Sequence, residues 1–109
     1  MASSRAIGDH VEDQACEYLL RLGYEILARN YCVRGGEIDI VARDGDTTVF
    51  VEVKYRSGDR YGTGLESVTP RKLERMRRAI ERWMADYQTE DVRVDAIELH
   101  ADRTISHIR

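Results

Sequence analysis

The stretch "GEIDIVARDGDTTVFVEVKYR", residues 36–56, decides the fold of this chain. Two segments rich in β-branched residues, 37–43 and 47–55, flank the pair Asp44-Gly45, and this pattern predicts a β-hairpin. Because side chains alternate between the two faces of a strand, the residues on each face of the hairpin follow from the sequence. Charged side chains lie among the apolar ones of this hairpin: Glu37, Asp39, Glu52 and Lys54.

The length of the hairpin loop decides whether these charged side chains share a face. A loop of two or four residues places them together, whereas a three-residue loop without a bulge moves Asp39 to the opposite face. With Asp44-Gly45 as a two-residue loop, Asp39 lies diagonal to Glu52, and their Cα atoms are roughly 7–8 Å apart. An even loop is favoured because it leaves a uniform apolar set on the other face: Ile38, Ile40, Ala42, Val49, Val51 and Val53.

Two carboxylates at this separation can converge on a metal ion. Oxygen ligands are typical of Mg²⁺ or Mn²⁺ rather than zinc, so Asp39 and Glu52 are candidate ligands. Without a cation they repel each other, and burial raises their pKa values. Lys54 on the same face can orient water or stabilise charge on a phosphate. The plainer interpretation is a solvated polar face in which Lys54 pairs with the acids, but the apolar Val41 and Phe50 share this face and weaken that interpretation.

The rest of the chain predicts two helices and three more strands around the hairpin. Apolar residues recur at helical spacing before the hairpin, and Thr69-Pro70 is typical of the start of a helix. With 109 residues, the chain predicts a single domain, 1–109, of the α/β class with an α+β mixed sheet. The order is αβββαββ, a central mixed β-sheet flanked by helices. The predicted elements outside the hairpin are a helix over 4–22, a strand over 24–33, a loop over 56–68, a helix from 70, and strands over 91–99 and 104–108.

Composition excludes several classes of protein. The chain is 42% hydrophobic and 34% charged, with a net charge of −3, as expected of a globular domain. No apolar run approaches the ~20 residues needed to span a bilayer, and no signal-peptide core is present, so a cytoplasmic location is predicted. Cys16 and Cys32 lack zinc-site spacing. Three scattered histidines are predicted to be surface or capping residues: His10, His100 and His107.

The second helix is predicted to carry a basic ridge opposite its apolar stripe. Such a ridge can track the phosphates of a nucleic acid, although charged runs usually form only a solvated helix face. From the preceding loop, Arg56, Arg60 and Tyr61 could close over a substrate or stack on a base. Nucleic acid, DNA above all, is therefore the predicted partner, even though the net charge of −3 is unusual for a dedicated DNA binder. The basic ridge consists of Arg71, Lys72, Arg75, Arg77, Arg78 and Arg82.

Two levels of resemblance connect the hairpin to known nucleases. Asp39, followed on the next strand by Glu52-Val53-Lys54, resembles the D…(D/E)xK signature of the restriction-endonuclease-like, or PD-(D/E)xK, nuclease superfamily. Four longer stretches resemble the small bacterial YraN-like family, which is similar in fold to archaeal Holliday-junction resolvases. These stretches are "GDHVEDQACEYLLRLGYEILARNY", "GEIDIVARDG", "VFVEVKYR" and "YGTGLESVTPRK". The resemblance extends over residues 8–107, implies a restriction-endonuclease-like core, and departs from the family pattern at Val11, Gly35 and Val94.

The resemblance implies a role for each matched residue. Asp39 and Glu52 are implied to hold the metal together with the backbone carbonyl of Val53. Lys54 is implied to position the attacking water and to stabilise the phosphate during its displacement. The family pattern continues for a few residues beyond "ISHIR", so we also expect the natural carboxyl end to lie farther on.

Two more glutamates match the family pattern. Glu12 of the first helix is implied to reach toward the metal, and an exposed helix glutamate is the equally weighted alternative. Glu37 belongs to the Gly-Glu-Ile-Asp motif and is implied to support the ligands without binding the metal itself.

The resemblance also implies an activity. It is that of an endonuclease dependent on Mg²⁺ or Mn²⁺, which hydrolyses phosphodiester bonds of branched or single-stranded DNA and acts as a homodimer. Two alternatives stay open: a nucleic-acid-binding or protein-interaction module of the same fold with little or no turnover, and a scaffold stabilised by a metal ion.

Overall fold

The computed structural model describes residues 4–56 and 69–109, with side chains described from His10 onward. Two helices and five strands follow one another in the order αβββαββ. The elements are α1 Ser4–Arg21, β1 Glu25–Val33, β2 Gly36–Asp44, β3 Thr47–Arg56, α2 Pro70–Tyr87, β4 Val92–His100 and β5 Ile105–Ile108. The predicted loop over 56–68, with Arg60 and Tyr61, lies outside the described residues beyond Arg56.

The five strands form one mixed sheet in their chain order, β1-β2-β3-β4-β5. Neighbouring strands are antiparallel except for β3 and β4, which are parallel. A parallel pair needs a crossover, and α2 supplies it. The α+β class with a five-stranded mixed sheet and two helices is therefore confirmed. No helix within the described ranges is long and apolar enough to cross a membrane.

Each helix covers one face of the sheet. On one face α1 buries Ala15 and Leu19 against a cluster that includes Val51 of β3. On the other face α2 buries Met76 and Trp83 in a separate cluster beneath it. The start of α2 follows the sequence prediction: Pro70 is its first residue, and the Thr69 hydroxyl accepts a hydrogen bond of 3.1 Å from the Lys72 N–H. The centre of the sheet is consequently buried on both faces. The charged residues Glu52 and Lys54 of β3 lie at the edge of this buried region.

The hairpin turn differs from the prediction by one residue. Asp44 pairs with Thr47, so the turn residues are Gly45 and Asp46. Gly45 has a φ of 62°, the left-handed conformation that the first turn position of a type II′ hairpin requires. The loop still has two residues, so the charged side chains keep their common face. The register is shifted by two residues, however, and its continuation sets Asp39 opposite Glu52 instead of diagonal to it.

Strict alternation fails at one predicted core position. Ile38 belongs to the cluster beneath α2, whereas Ile40 belongs to the cluster beneath α1. The pairing of β2 with β3 ends at Ile40 and Val51, so the first half of β2 pairs only with β1. At the same level of β1, Asn30 has a φ of 51°, a left-handed conformation outside the regular strand geometry. The prediction that Ile38 shares a face with Ile40 is therefore wrong.

The histidine prediction is also wrong for His107, whose side chain is almost fully buried in β5. His107 Nε2 lies 2.7 Å from Asp95 Oδ2 of β4, and Nδ1 lies 2.9 Å from the Tyr18 hydroxyl of α1. A carboxylate can only accept, so Nε2 donates, and in the neutral ring Nδ1 accepts from Tyr18. Asp95, which is 1% exposed, also accepts hydrogen bonds from Arg93. These contacts fix β5 and α1 to the sheet.

Candidate functional site

The strands β2 and β3 separate at the point where the candidate ligands lie. The Val53 N–H donates a hydrogen bond of 2.9 Å to Asp39 Oδ2 and not to a backbone carbonyl of β2. The Asp39 carboxylate thus takes a position that the strand ladder would otherwise occupy. Since the N–H and C=O of one strand residue point to the same side, the Val53 carbonyl also faces this opening. The opening brings a carboxylate and a backbone carbonyl together.

Glu52 is a buried carboxylate, 5% exposed, beside Asp39. Burial and the negative charge of Asp39 raise the pKa of Glu52 from 4.5 to about 7, although Lys72 and Lys54 act in the opposite direction. An ion pair joins the Glu52 carboxylate to the ammonium of Lys72, which lies in the first turn of α2. Glu52 is therefore a carboxylate whose ionisation depends on a nearby positive charge.

Lys54 completes the group from the same face of β3. Contact with the ammonium of Lys72, together with burial, lowers the pKa of Lys54. For Lys72, burial lowers the pKa, but its hydrogen bonds to Glu52 and Lys54 outweigh this effect and raise it. Two ammonium groups and two carboxylates thus meet between β2, β3 and the start of α2. The four residues Asp39, Glu52, Lys54 and Lys72 are called the β2–β3 site below.

The donor atoms of the β2–β3 site fit a hard divalent cation. Two carboxylates and the carbonyl of Val53 are oxygen ligands of the type that Mg²⁺ and Mn²⁺ prefer. The raised pKa of Glu52 also favours a cation site, because a cation between Asp39 and Glu52 would remove the repulsion between the two carboxylates. Within residues 4–56 and 69–109, no group of three or more His, Cys, Asp or Glu side chains is close enough to hold a metal. Water or a substrate oxygen would therefore have to fill the remaining positions.

The two other predicted glutamates lie outside the β2–β3 site. Glu12 is half-buried, and its Oε1 lies 3.9 Å from Arg29 Nη2, on the face of the sheet that α1 covers. It does not form a group of three metal-binding side chains with Asp39 and Glu52 among the described residues. Glu37 lies 3.7 Å from Arg75 Nη2 and lines a cleft of about 160 Å³ beside the start of α2. This position is compatible with a supporting role for Glu37.

Most of the basic ridge on α2 is paired within the protein. Arg77 and Arg78 both contact Glu74 along the helix, and these exposed pairs form one network. Arg82 pairs with Asp86. Arg71 has no ion pair with any residue that the structure describes. Lys72, predicted as part of the ridge, instead reaches inward to the β2–β3 site.

Arg56 and Glu98 form a further ion pair with a buried carboxylate, which the sequence did not indicate. Arg56 Nε donates a hydrogen bond of 3.0 Å to Glu98 Oε2, and Glu98 is 4% exposed. Glu98 of β4 is the register partner of Lys54 of β3. Arg56, predicted to contact nucleic acid, thus lies at the edge of the β2–β3 site with a partner of its own. The signal available in the sequence was Glu98 itself, a charged residue between the apolar Ile97 and Leu99 of the predicted strand 91–99.

The family model and the related proteins found by comparison all belong to the same family. The model of the uncharacterised protein family UPF0102 matches residues 11–99. A UPF0102 protein of Parafrankia sp. (strain EAN1pec) is 47% identical over 105 residues, which cover 94% of this chain and 89% of that protein. A UPF0102 protein of Frankia casuarinae is 42% identical over 115 residues, covering 100% of this chain and 98% of its own. One from Serratia proteamaculans is 44% identical over 101 residues, covering 89% and 86%. None of these names states an activity.

Proposed function

We propose, from the premise that this chain belongs to the uncharacterised protein family UPF0102, that it is a metal-dependent endonuclease that hydrolyses phosphodiester bonds of DNA. The proposal also includes the fold that the resemblance to the YraN-like family implies, which is a restriction-endonuclease-like core. One observation carries it: buried Glu52 and Asp39 lie at an opening between two strands, with the ammonium groups of Lys54 and Lys72 beside them. An ion pair with only a structural role would need one carboxylate and one ammonium, as in Glu52 and Lys72. It would not need Asp39 or Lys54 beside them.

The residues of the β2–β3 site have separate roles in this proposal. Asp39 and Glu52, with the Val53 carbonyl, hold Mg²⁺ or Mn²⁺. Such an ion, when bound, lowers the pKa of a coordinated water and neutralises charge on a phosphate. Lys54 orients the attacking water, and its lowered pKa increases the share of neutral amine that can accept a hydrogen bond. Lys72, which pairs with Glu52 in the metal-free protein, would be available to a phosphate oxygen if a cation compensated Glu52.

The proposed substrate is branched or single-stranded DNA, and the proposed assembly is a homodimer. The described residues contain no recognisable base-reading motif, so shape and backbone contacts would select the substrate. At the start of α2, Arg71 lies next to Lys72 and beside the small cleft that Arg75 also lines. A phosphate chain that crosses this end of the helix would therefore meet positive charges on its way to the β2–β3 site.

The decisive experiment is cleavage of a panel of labelled DNAs: single-stranded, forked, flapped, four-way junction and blunt duplex. Wild-type protein with Mg²⁺ or Mn²⁺ should cut at least one branched or single-stranded member, and chelation should stop the reaction. Glu52→Gln, which keeps the shape of the side chain but not its charge, should reduce the rate by a factor of 10² or more. Lys54→Met should produce a comparable loss while leaving Mn²⁺ binding intact.

The matched control is Glu90→Gln, because Glu90 is exposed and lies outside the β2–β3 site. It should cut at the wild-type rate. Activity that survives Glu52→Gln would point to a contaminating nuclease and would reject the assignment. A homodimer should be seen in sedimentation or light-scattering measurements, and a monomer that cuts a junction on both strands would reject that part of the proposal.

A binding module with little or no turnover is the second candidate, and one observation favours it. The ion pair between Lys72 and Glu52 already neutralises the buried carboxylate. DNA binding without cleavage, and with no effect of Glu52→Gln on affinity, would support this module. If Mn²⁺ raised the melting temperature and Glu52→Gln removed that effect without DNA binding in either protein, the metal-stabilised scaffold would be the better description.

A further inference from the structure

A large cleft lies on the face of the sheet opposite the β2–β3 site. Its volume is about 820 Å³, which falls within the range of roughly 300–1,000 Å³ typical of ligand sites. One wall is α1, the floor is the end of β3 and β4, and the other wall is the turn between β4 and β5. None of the residues proposed for catalysis lines this cleft, so its chemistry requires a separate explanation.

The α1 wall is a polar stripe. His10, Gln14, Glu17 and Arg21 line the cleft, and their spacing of three and four residues places them along one side of the helix. The neighbouring stripe of the same helix is buried against the sheet. The cleft-facing stripe therefore combines a guanidinium, an imidazole, an amide and one opposing carboxylate.

Tyr55 forms the aromatic part of the cleft. It follows Lys54 on β3, and because side chains alternate it points to the α1 face while Lys54 points to the β2–β3 site. Tyr55, near the end of β3, remains 48% exposed. Its ring is thus available to a planar ligand.

Arg103 is presented from the opposite wall by a rigid turn. It has a φ of 74°, a conformation that is costly for a residue with a side chain. The turn is fixed around it, because Thr104 donates to Asp102 Oδ1 from its N–H and the Arg103 N–H donates to the His100 carbonyl. Neither Arg103 nor Arg21 forms an ion pair with another residue in the described part of the chain. This differs from the arginines of α2, most of which are paired.

We infer that this cleft binds a single-stranded segment of nucleic acid, with a base stacked on Tyr55 and phosphates near Arg21 and Arg103. Aromatic faces combined with unpaired guanidinium groups are the chemistry that recognises single strands without reading their sequence. Gln14 and His10 can form hydrogen bonds with base edges or phosphate oxygens. The inference rests on the proposed function, since it names the part of the substrate that extends beyond the scissile phosphate.

The position of the cleft supports this extension. Lys54 and Tyr55 are consecutive, so their Cα atoms are about 3.8 Å apart although their side chains lie on opposite faces. Tyr55 is therefore the residue of the cleft that lies nearest along the chain to the β2–β3 site. A base must be unstacked to lie on the Tyr55 ring, which favours substrates with a single-stranded branch over a blunt duplex.

The test measures binding of a fluorescent oligothymidylate by anisotropy in EDTA, where no cleavage takes place. Tyr55→Leu should weaken binding about tenfold, whereas Tyr55→Phe, which keeps the ring, should stay within about twofold of wild type. Tyr87→Leu is the matched control, because Tyr87 is an exposed tyrosine on α2, outside the cleft. Equal effects of Tyr55→Leu and Tyr87→Leu, or no binding by the wild type, would overturn the inference.

The salt dependence supplies a second readout. Arg21→Gln and Arg103→Gly should each reduce the slope of log affinity against log salt by about 0.7, while Tyr55→Leu should leave it unchanged. Glycine suits the left-handed conformation at position 103, so this variant should fold. Binding that depends on Tyr55 without any cleavage in the DNA panel would reject the proposed nuclease and keep the cleft. Cleavage that persists with no effect of Tyr55→Leu on binding would reject the cleft alone.

Discussion

The ammonium of Lys72, in the first turn of α2, forms an ion pair with the buried carboxylate of Glu52 on β3. The pair connects a helix to the strand that carries both a metal-ligand candidate and Lys54. It also places a positive charge where a divalent cation would compensate Glu52 and Asp39. We therefore treat Lys72 as the counter-charge of the metal-free protein, and its removal provides a direct test.

Lys72→Met should make folding more dependent on a divalent cation. Without Lys72, the carboxylates of Glu52 and Asp39 lack their main counter-charge, so the variant should be less stable than wild type by about 2 kcal/mol in EDTA. Saturating Mn²⁺ should restore much of this loss and should raise the melting temperature more than in wild type. The control is Arg71→Met, one residue earlier on the same helix. Equal Mn²⁺-induced shifts in the two variants, measured by thermal denaturation, would contradict the counter-charge role.

The raised pKa of Glu52 predicts a pH dependence of stability. Burial and Asp39 raise this pKa from 4.5 in the ordinary carboxyl to about 7 in the folded protein, so the folded state holds a proton that the unfolded state has lost. The contribution of Glu52 is therefore fully present below pH 4.5 and is lost as the pH rises through about 7. At the upper end of this window the loss is roughly 3 kcal/mol.

Glu52→Gln removes the titrating group and makes this contribution measurable. Urea denaturation in EDTA should show that the wild type loses stability relative to the variant as the pH rises across the window. Subtracting the two curves cancels the ionisable groups that do not interact with Glu52. A constant difference across the same pH range would show that Glu52 titrates normally.

The features of the fold that the sequence predicted correctly depend on local patterns, which tertiary contacts did not change. Thr69-Pro70 starts α2 because a hydroxyl cap and a residue without an N–H suit the first turn of any helix. Val49, Val51 and Val53 share the α1 face because β3 is paired regularly on at least one side along its length. Patterns of this kind depend only on neighbours in the chain.

The features that the sequence did not reveal depend on where distant segments meet. Ile38 changes face because β2 loses its pairing with β3 at the position where Asp39 accepts the Val53 N–H. The sequence places Lys72 on the basic ridge because helical spacing shows which residues share a side of α2 but not which strand end that side approaches. The sequence predicts His107 to be a surface or capping residue because its hydrogen-bond partners, Tyr18 and Asp95, lie on two other elements.

Asp39→Asn separates the structural and metal-binding roles of this residue. The asparagine carbonyl can still accept the hydrogen bond from the Val53 N–H, so stability should change little, while the loss of charge should weaken Mn²⁺ binding at least tenfold. Asp39→Ala should lose both the affinity and about 1 kcal/mol of stability. Calorimetric titration and urea denaturation measure the two effects. Wild-type Mn²⁺ affinity in Asp39→Asn would remove Asp39 from the ligand set.

The buried contacts of Asp95 should dominate the stability of the α1 face. Asp95→Ala leaves Arg93 and His107 without their acceptor in a region almost closed to water, so the loss should be about 3 kcal/mol. Tyr18→Phe removes only the hydroxyl that contacts His107 and should cost about 1 kcal/mol. Asp86→Ala, in an exposed helix pair with Arg82, is the control and should have no measurable effect. Similar denaturation midpoints for Asp95→Ala and Asp86→Ala would contradict this prediction.

Gly36→Ala should disturb the β2–β3 site by moving α2 away from β2. A Cβ at Gly36 would lie 2.5 Å from the Arg75 carbonyl oxygen and 2.8 Å from the Ala79 nitrogen, both of them backbone atoms. The helix would have to shift, so we expect a loss of about 2 kcal/mol and weaker Mn²⁺ binding, because α2 carries the charges beside β2. Gly45→Ala is the matched control: it strains a left-handed residue by about 1 kcal/mol but meets no neighbouring atom, so Mn²⁺ affinity should stay at the wild-type value. If both variants lost stability equally and bound Mn²⁺ equally well, close packing of α2 on β2 would not be what positions the β2–β3 site.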